Sequence, residues 1–307
     1  MFLLEAAQAP YLAAGSIQRD MPSNGPAFYL ADFLPCYYMR HQAAQRSYGR
    51  GGIQEMQSQM GEPVDRWVME SGSIWLWGIL VLAAVALTLK NRRLPLFGLV
   101  LIAATSAFWQ EFFGDWGAYL AWNPAFSRLP FWGDMAFTTP VKPLFIPFSW
   151  GWWFAVSLPL LTSLVMVLGR RLRFLPVQAW AMLVAFPLFF AYQIYVEGSS
   201  VANGWWTYDA IVGPTLESDK GQLPLVFPAL IALWAGWFVG ILANRGIDGF
   251  MSVERRFGVH GVPAGWRREA RRLWIMIGLF QITFFVVNIA PAMIGRALFG
   301  GPSLLVP

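Results

Sequence analysis

The stretch Leu223–Ala243 reads Leu-Pro-Leu-Val-Phe-Pro-Ala-Leu-Ile-Ala-Leu-Trp-Ala-Gly-Trp-Phe-Val-Gly-Ile-Leu-Ala, then meets Asn244-Arg245-Gly246-Ile247-Asp248. It carries no charge and is long enough, as a helix, to cross the roughly 30 Å hydrocarbon core of a bilayer. Five further stretches have the same character: Ser73–Leu89, Leu94–Phe113, Phe148–Leu168, Val177–Tyr195 and Leu273–Ile294. None holds a charge near its middle, so each reads as a transmembrane helix. The expected fold is all-α, a polytopic transmembrane bundle of six clear spans. Met1–Ala14 and Ala27–Met39 are candidates for a short seventh, N-terminal hydrophobic element. Residues 1–72 then form an N-terminal segment on the surface or partly in the membrane, 73–295 the helical domain and 296–307 a C-terminal tail.

Composition points the same way. Only 13% of the 307 residues are charged and 57% are hydrophobic, with 17 Trp; soluble domains carry about a quarter charged residues. The net charge of +5 invites a nucleic-acid reading, which its distribution opposes. Thirteen of the 22 Lys and Arg fall in three alternate loops, 90–93, 169–176 and 244–272. The positive-inside rule places these loops in the cytoplasm of a bacterial plasma membrane and the C-terminus outside. The amphipathic loop 244–272 is expected along the inner headgroups, where anionic lipid attracts basic residues. Cys36 is the only cysteine, and His41 and His260 are the only histidines. That leaves no thiolate cluster and no paired axial ligands, so no metal and no cofactor is expected.

Polar residues gather at the opposite ends of the spans. The second span ends Phe108-Trp109-Gln110-Glu111-Phe112-Phe113-Gly114-Asp115, with Glu111 and Asp115 four apart on one helix face. The fourth ends Tyr192-Gln193-Ile194-Tyr195-Val196-Glu197, and the sixth carries Gln281 and Asn288. The outer loops add Tyr119, Trp122 and Asn123, then Trp205, Trp206, Tyr208 and Asp209. Ionisable groups within spans are expensive and usually face the bundle interior or a wet cavity. Two such carboxyls can share a proton at neutral pH, one acting as acid and one as base. Plainer readings stand beside this one: carboxylates reaching headgroup water, amides as interhelical glue, and Trp residues as an aromatic belt.

At these residues the chain resembles the spirocyclase family of actinobacterial membrane proteins named for AveC. The resemblance covers roughly 73–295. It rests on Phe108-Trp109-Gln110-Glu111 before a loop with Tyr119 and Asn123, on Val196-Glu197-Gly198 before Trp205–Tyr208, on Asn244–Asp248, and on Asn288-Ile289-Ala290-Pro291. Glu111 stands where that family tends to show Asp. The resemblance implies cofactor-independent, acid-catalysed closure of a lipophilic polyketide-type dihydroxyketone to a spiroketal, with dehydration on the same site. Glu111 and Glu197 are then the acid/base pair, with Asp115 or Asp209 as substitute for one of them. Trp109, Trp205, Trp206 and Tyr208 line the pocket, and Tyr119, Asn123, Gln193 and Asn288 bind substrate. The expected partners are this hydrophobic substrate and membrane lipids. A membrane terpene or isoprenoid cyclase with a carboxylic acid proton donor, and a non-catalytic lipid-binding or transport-accessory protein, are the alternatives.

Overall fold

The computed structural model describes residues 60–307 apart from 131, 133, 134, 173, 211, 219, 220, 304 and 307. The two N-terminal hydrophobic stretches, Cys36 and His41 lie outside the described residues. The described chain is a membrane-spanning helical bundle. Five of its helical stretches are long and apolar enough to cross a membrane, and a bent pair makes a sixth.

The first span begins earlier than its apolar run indicates. A π-helical turn, Val68–Gly72, leads into α1 (Ser73–Asn91), and together they form one span. Arg92 ends it in a left-handed conformation, φ 54°. The second span, expected as one helix over Leu94–Phe113, is broken. Helix α2 (Leu96–Ala107) stops, and α3 (Trp109–Ala118) sets off at 65° to it. No proline or glycine lies at the bend. Instead, the Thr105 and Ser106 hydroxyls donate back to the carbonyls of Leu101 and Ala103, a contact that bends helices. The Ser106 carbonyl accepts 2.8 Å from Gln281 Nε2, while Gln110 Nε2 donates 2.7 Å to Gln281 Oε1. A neighbouring span thus satisfies the backbone group that the break frees, as hydrocarbon surroundings require.

Helices α4 (Ile146–Arg171) and α5 (Val177–Ala202) continue through Pro159 and Pro187. Helix α6 (Val226–Ala243) is the most enclosed span. The short α7 (Ser252–Arg256) precedes α8 (Trp266–Phe284), a π-turn Phe285–Ile289 and α9 (Ala290–Phe299). The last three form one 34-residue span. It starts seven residues before the apolar run, and Arg272, expected in the loop 244–272, is buried within it.

Gly114 and Gly117 let α3 lie directly on the final span. A Cβ at Gly117 would stand 2.8 Å from the Ala292 carbonyl carbon and the Met293 nitrogen, and one at Gly114 2.7 Å from Ile289 Cδ1. The core between α4, α6 and α8 is aromatic. Trp234 packs against Phe154, Phe280 and Phe284 with ring centroids 4.7–5.4 Å apart, and its indole N–H donates 3.0 Å to Thr283.

Two short antiparallel ladders cap one end of the bundle. Strand β1 (Leu120–Trp122) pairs with β2 (Trp206–Tyr208), and β3 (Thr215–Ser218) with β4 (Gly221–Pro224). In the first, Leu120 lies opposite Tyr208 and Trp122 opposite Trp206. With a side-chain period of two, these four share one face. Runs of three residues are too short for that period to be visible in sequence.

Candidate functional site

A cavity of about 470 Å³ lies beneath the β1–β2 ladder, within the size range of pockets that enclose small organic ligands. Glu111 of α3 and Glu197 of α5 both line it, so the broken span brings together the two carboxyls expected as a pair. Their charges interact across it, and Asp115 interacts with both. Most of the remaining wall is apolar or aromatic, including Trp122, Phe145, Trp150, Trp152, Trp153, Trp206, Phe227 and Phe284.

The two carboxyls have different partners. Glu197 Oε2 accepts 2.7 Å from the Tyr208 hydroxyl and 3.0 Å from Trp206 Nε1, while Gln193 Nε2 stands 3.5 Å from Oε1. The ladder aims both aromatic donors at one oxygen, because Trp206 and Tyr208 are two apart on one strand. Burial, and then the neighbouring Glu197 charge, push the Tyr208 hydroxyl well above the usual phenol range, so it remains a donor. Glu111 has the Trp150 indole as hydrogen-bond donor. Its α3 placement, one turn past the bend, turns it to the cavity.

Asp115 is fully buried but lies behind the wall. Its Oδ2 accepts 2.7 Å from Trp122 Nε1, and Oδ1 has no partner among the described residues. Trp122 in turn packs edge-on against Trp206 at 4.6 Å. The electrostatic contact with buried Lys142 offsets part of the Asp115 charge. Asp115 therefore supports Trp122 and does not itself line the cavity.

Several expected site residues have structural positions instead. Asp209 lies outside the cavity, its Oδ2 accepting from Ser303 Oγ and, at 2.9 Å, from Leu305 N–H; it holds the C-terminal tail. Tyr119 caps α3 in a left-handed conformation, donates 2.8 Å to the Gly301 carbonyl and lies 4.0 Å beneath the Arg296 guanidinium. Asn123 donates to the carbonyls of Gly61 and Gly204 and accepts from Ala125 N–H, which ties the 60–72 segment to the ladder loops. Trp109 packs on Phe113 and lines no part of the cavity. Trp205 does line it, with its N–H donating to the Val64 carbonyl. Asn288 is fully buried in the π-turn, just beyond the wall residue Phe284, and neither of its amide atoms has a partner among the described residues.

The sequence reading missed the α4 wall. Trp150, Trp152 and Trp153 all face the cavity, and Trp152 Nε1 is a buried donor without a partner among the described residues. The available signal was Ser149-Trp150-Gly151-Trp152-Trp153, denser in aromatics than an interfacial belt needs. Among the described residues, no group of three or more His, Cys, Asp or Glu is arranged to hold a metal ion. Comparisons with protein-family models, with curated proteins and with solved structures find no match.

Proposed function

We propose that the protein is a membrane-embedded acid/base catalyst that closes rings in a lipophilic dihydroxyketone, in the manner of a spiroketal cyclase. The observation that carries this reading is the convergence of Glu111 and Glu197, from two different spans, on one largely apolar cavity. A carboxylate is an acceptor-only group, and the donors gathered on Glu197 suit it to the base. Glu111, with a single indole donor, suits the acid. In the proposed sequence Glu111 protonates the hemiketal hydroxyl and water departs, leaving an oxocarbenium ion. The second hydroxyl attacks that carbon, and its proton passes to Glu197. One further proton exchange restores the pair. The faces of Trp150, Trp153 and Trp206 offer π density to the cation. Fixing one rotamer of the chain sets the configuration at the new centre.

A bilayer location suits such a substrate. The arrangement proposed is a bacterial plasma membrane, with loops 90–93, 169–176 and 244–272 in the cytoplasm and the cavity toward the other face. The test is turnover of a synthetic dihydroxyketone by wild type, Glu111→Gln and Glu197→Gln in membranes, with products resolved by chiral chromatography. General acid–base contributions of about 10²–10⁴-fold predict losses of that size and a single stereoisomer from wild type. Full turnover by both variants, or a racemic product at the spontaneous rate, refutes the reading.

A further inference from the structure

At the basic end of the bundle, three connections meet around Phe250. The Arg93, Arg268 and Arg272 guanidinium carbons lie 4.6, 5.6 and 5.9 Å from its ring centroid. The acidic residues here are already engaged. Glu254 accepts 2.8 Å from Arg272 Nε and 2.8 Å from Met251 N–H. Glu269 accepts 2.6 Å from Arg272 Nη1, 3.0 Å from Leu94 N–H and 3.2 Å from Arg268 Nε. Two guanidiniums remain without a carboxylate. Arg93 donates 2.9 Å to the Gly249 carbonyl, and Arg245 Nε donates 2.7 Å to the Leu242 carbonyl. Arg245 Nη2 is buried with no partner among the described residues. Both arginines and Arg272 line a separate cavity of about 260 Å³, with Asn91, Gly249 and the 94–96 turn.

Four arginines against two glutamates leave this pocket with two uncompensated positive charges. Burying a donor of a charged group without a partner is costly, and the chain concentrates that cost at one spot. Burial first, and then the Arg272 and Arg93 charges, lower the Arg245 pKa, with Glu254 opposing. Gly249, at φ +74°, passes close to Arg93; a Cβ there would meet Arg93 Nη1 at 3.2 Å. The turn that carries Arg245 is itself fixed, since Gly246 N–H donates to the Phe250 carbonyl and Ser252 N–H to the Asn244 carbonyl. The charged side chains that line the pocket, Arg93, Arg245 and Arg272, offer donors only.

We infer that the Arg93–Arg245–Arg272 pocket is a binding site for a phosphate group, supplied by a phospholipid headgroup or by soluble phosphate. The forked donors of arginine match phosphate oxygens pairwise. The inference stands apart from the proposed catalysis and requires none of it.

The test reconstitutes the whole protein in phosphatidylcholine nanodiscs and follows thermal unfolding in three arms: no addition, inorganic phosphate, and phosphatidylglycerol mixed into the disc. At about a hundredfold excess over the dissociation constant, the true source stabilises by about 2.7 kcal/mol and raises Tm by about 8 °C. Stabilisation by phosphatidylglycerol alone assigns the headgroup; stabilisation by inorganic phosphate assigns the soluble ion. Arg245→Gln is expected to weaken the response by about tenfold in affinity, and Arg245→Lys to recover part of it. Arg256→Gln, an exposed arginine outside the pocket, keeps the full response. No shift with either probe overturns the inference. So does equal loss in Arg256→Gln and Arg245→Gln, which marks diffuse surface attraction.

Discussion

Gly117→Ala tests how α3 is held, and through it how Glu111 reaches the cavity. The added Cβ would stand 2.8 Å from two backbone atoms of α9, closer than real Cβ contacts allow. Backbone cannot rotate aside as a side chain can, so α3 and α9 must separate by several tenths of an ångström. Forcing an extra carbon into a packed interface costs about 1–3 kcal/mol. Helix propensity returns at most about 1 kcal/mol. At about 3 °C per kcal/mol for a domain of this size, the net change lowers Tm by up to about 6 °C and puts it about 3–9 °C below that of a glycine-to-alanine change that gains propensity alone. Gly198→Ala is the matched control, since a Cβ there meets nothing within 4 Å and the propensity gain stands alone. The assay is thermal unfolding of both variants in one detergent, followed by intrinsic Trp fluorescence. Because Asp115 lies two residues from Gly117, the shift also strains its 2.7 Å bond to Trp122. Equal Tm for Gly117→Ala and Gly198→Ala refutes the argument that glycine contact sets the position of α3.

Three further outcomes are expected. Glu254→Gln leaves buried Arg272 with one carboxylate partner in place of two and destabilises by about 3 kcal/mol, measurable by thermal unfolding; a loss below 1 kcal/mol contradicts the pairing. Tyr208 holds its proton more tightly when folded than when unfolded, so its contribution is complete below about pH 10 and is lost as pH rises beyond that. Tyr208→Phe should therefore flatten part of the alkaline fall in stability above about pH 10; an unchanged profile excludes the residue. Asp209→Ala removes the acceptor for Ser303 and Leu305, so limited proteolysis should release the last residues faster while turnover of a ring-closing substrate persists.

The spans were legible because hydrocarbon imposes one requirement, a long uncharged helix, and runs such as Leu223–Ala243 meet it without ambiguity. The pairing of Glu111 with Glu197 was legible for a related reason: charged residues near span ends are rare enough to stand out. The broken second span was not. Its determinants are back-bonding hydroxyls at Thr105 and Ser106, a reaching Gln281, and two glycines that matter only once α9 lies against them. Asp115 and Asp209 looked equivalent to the cavity carboxyls because spacing says which face a residue shares, not what stands between it and a hollow. Trp122 covers the first, and the C-terminal tail covers the second. Asn123 and Tyr119 went to loop closure, a use of polar side chains that depends on distant backbone carbonyls at Gly61, Gly204 and Gly301.

The central claim is that Glu111 and Glu197 face one largely apolar cavity. Labelling with dicyclohexylcarbodiimide, a hydrophobic reagent for sheltered protonated carboxyls, tests it most directly when the adducts are mapped by mass spectrometry of the intact chain and its peptides. The account predicts a single adduct per chain, at Glu111 or Glu197, each site excluding the other by bulk, and no adduct at either position in the double Gln variant. Chains carrying adducts at both positions at once, or wild type inert at both, contradict it.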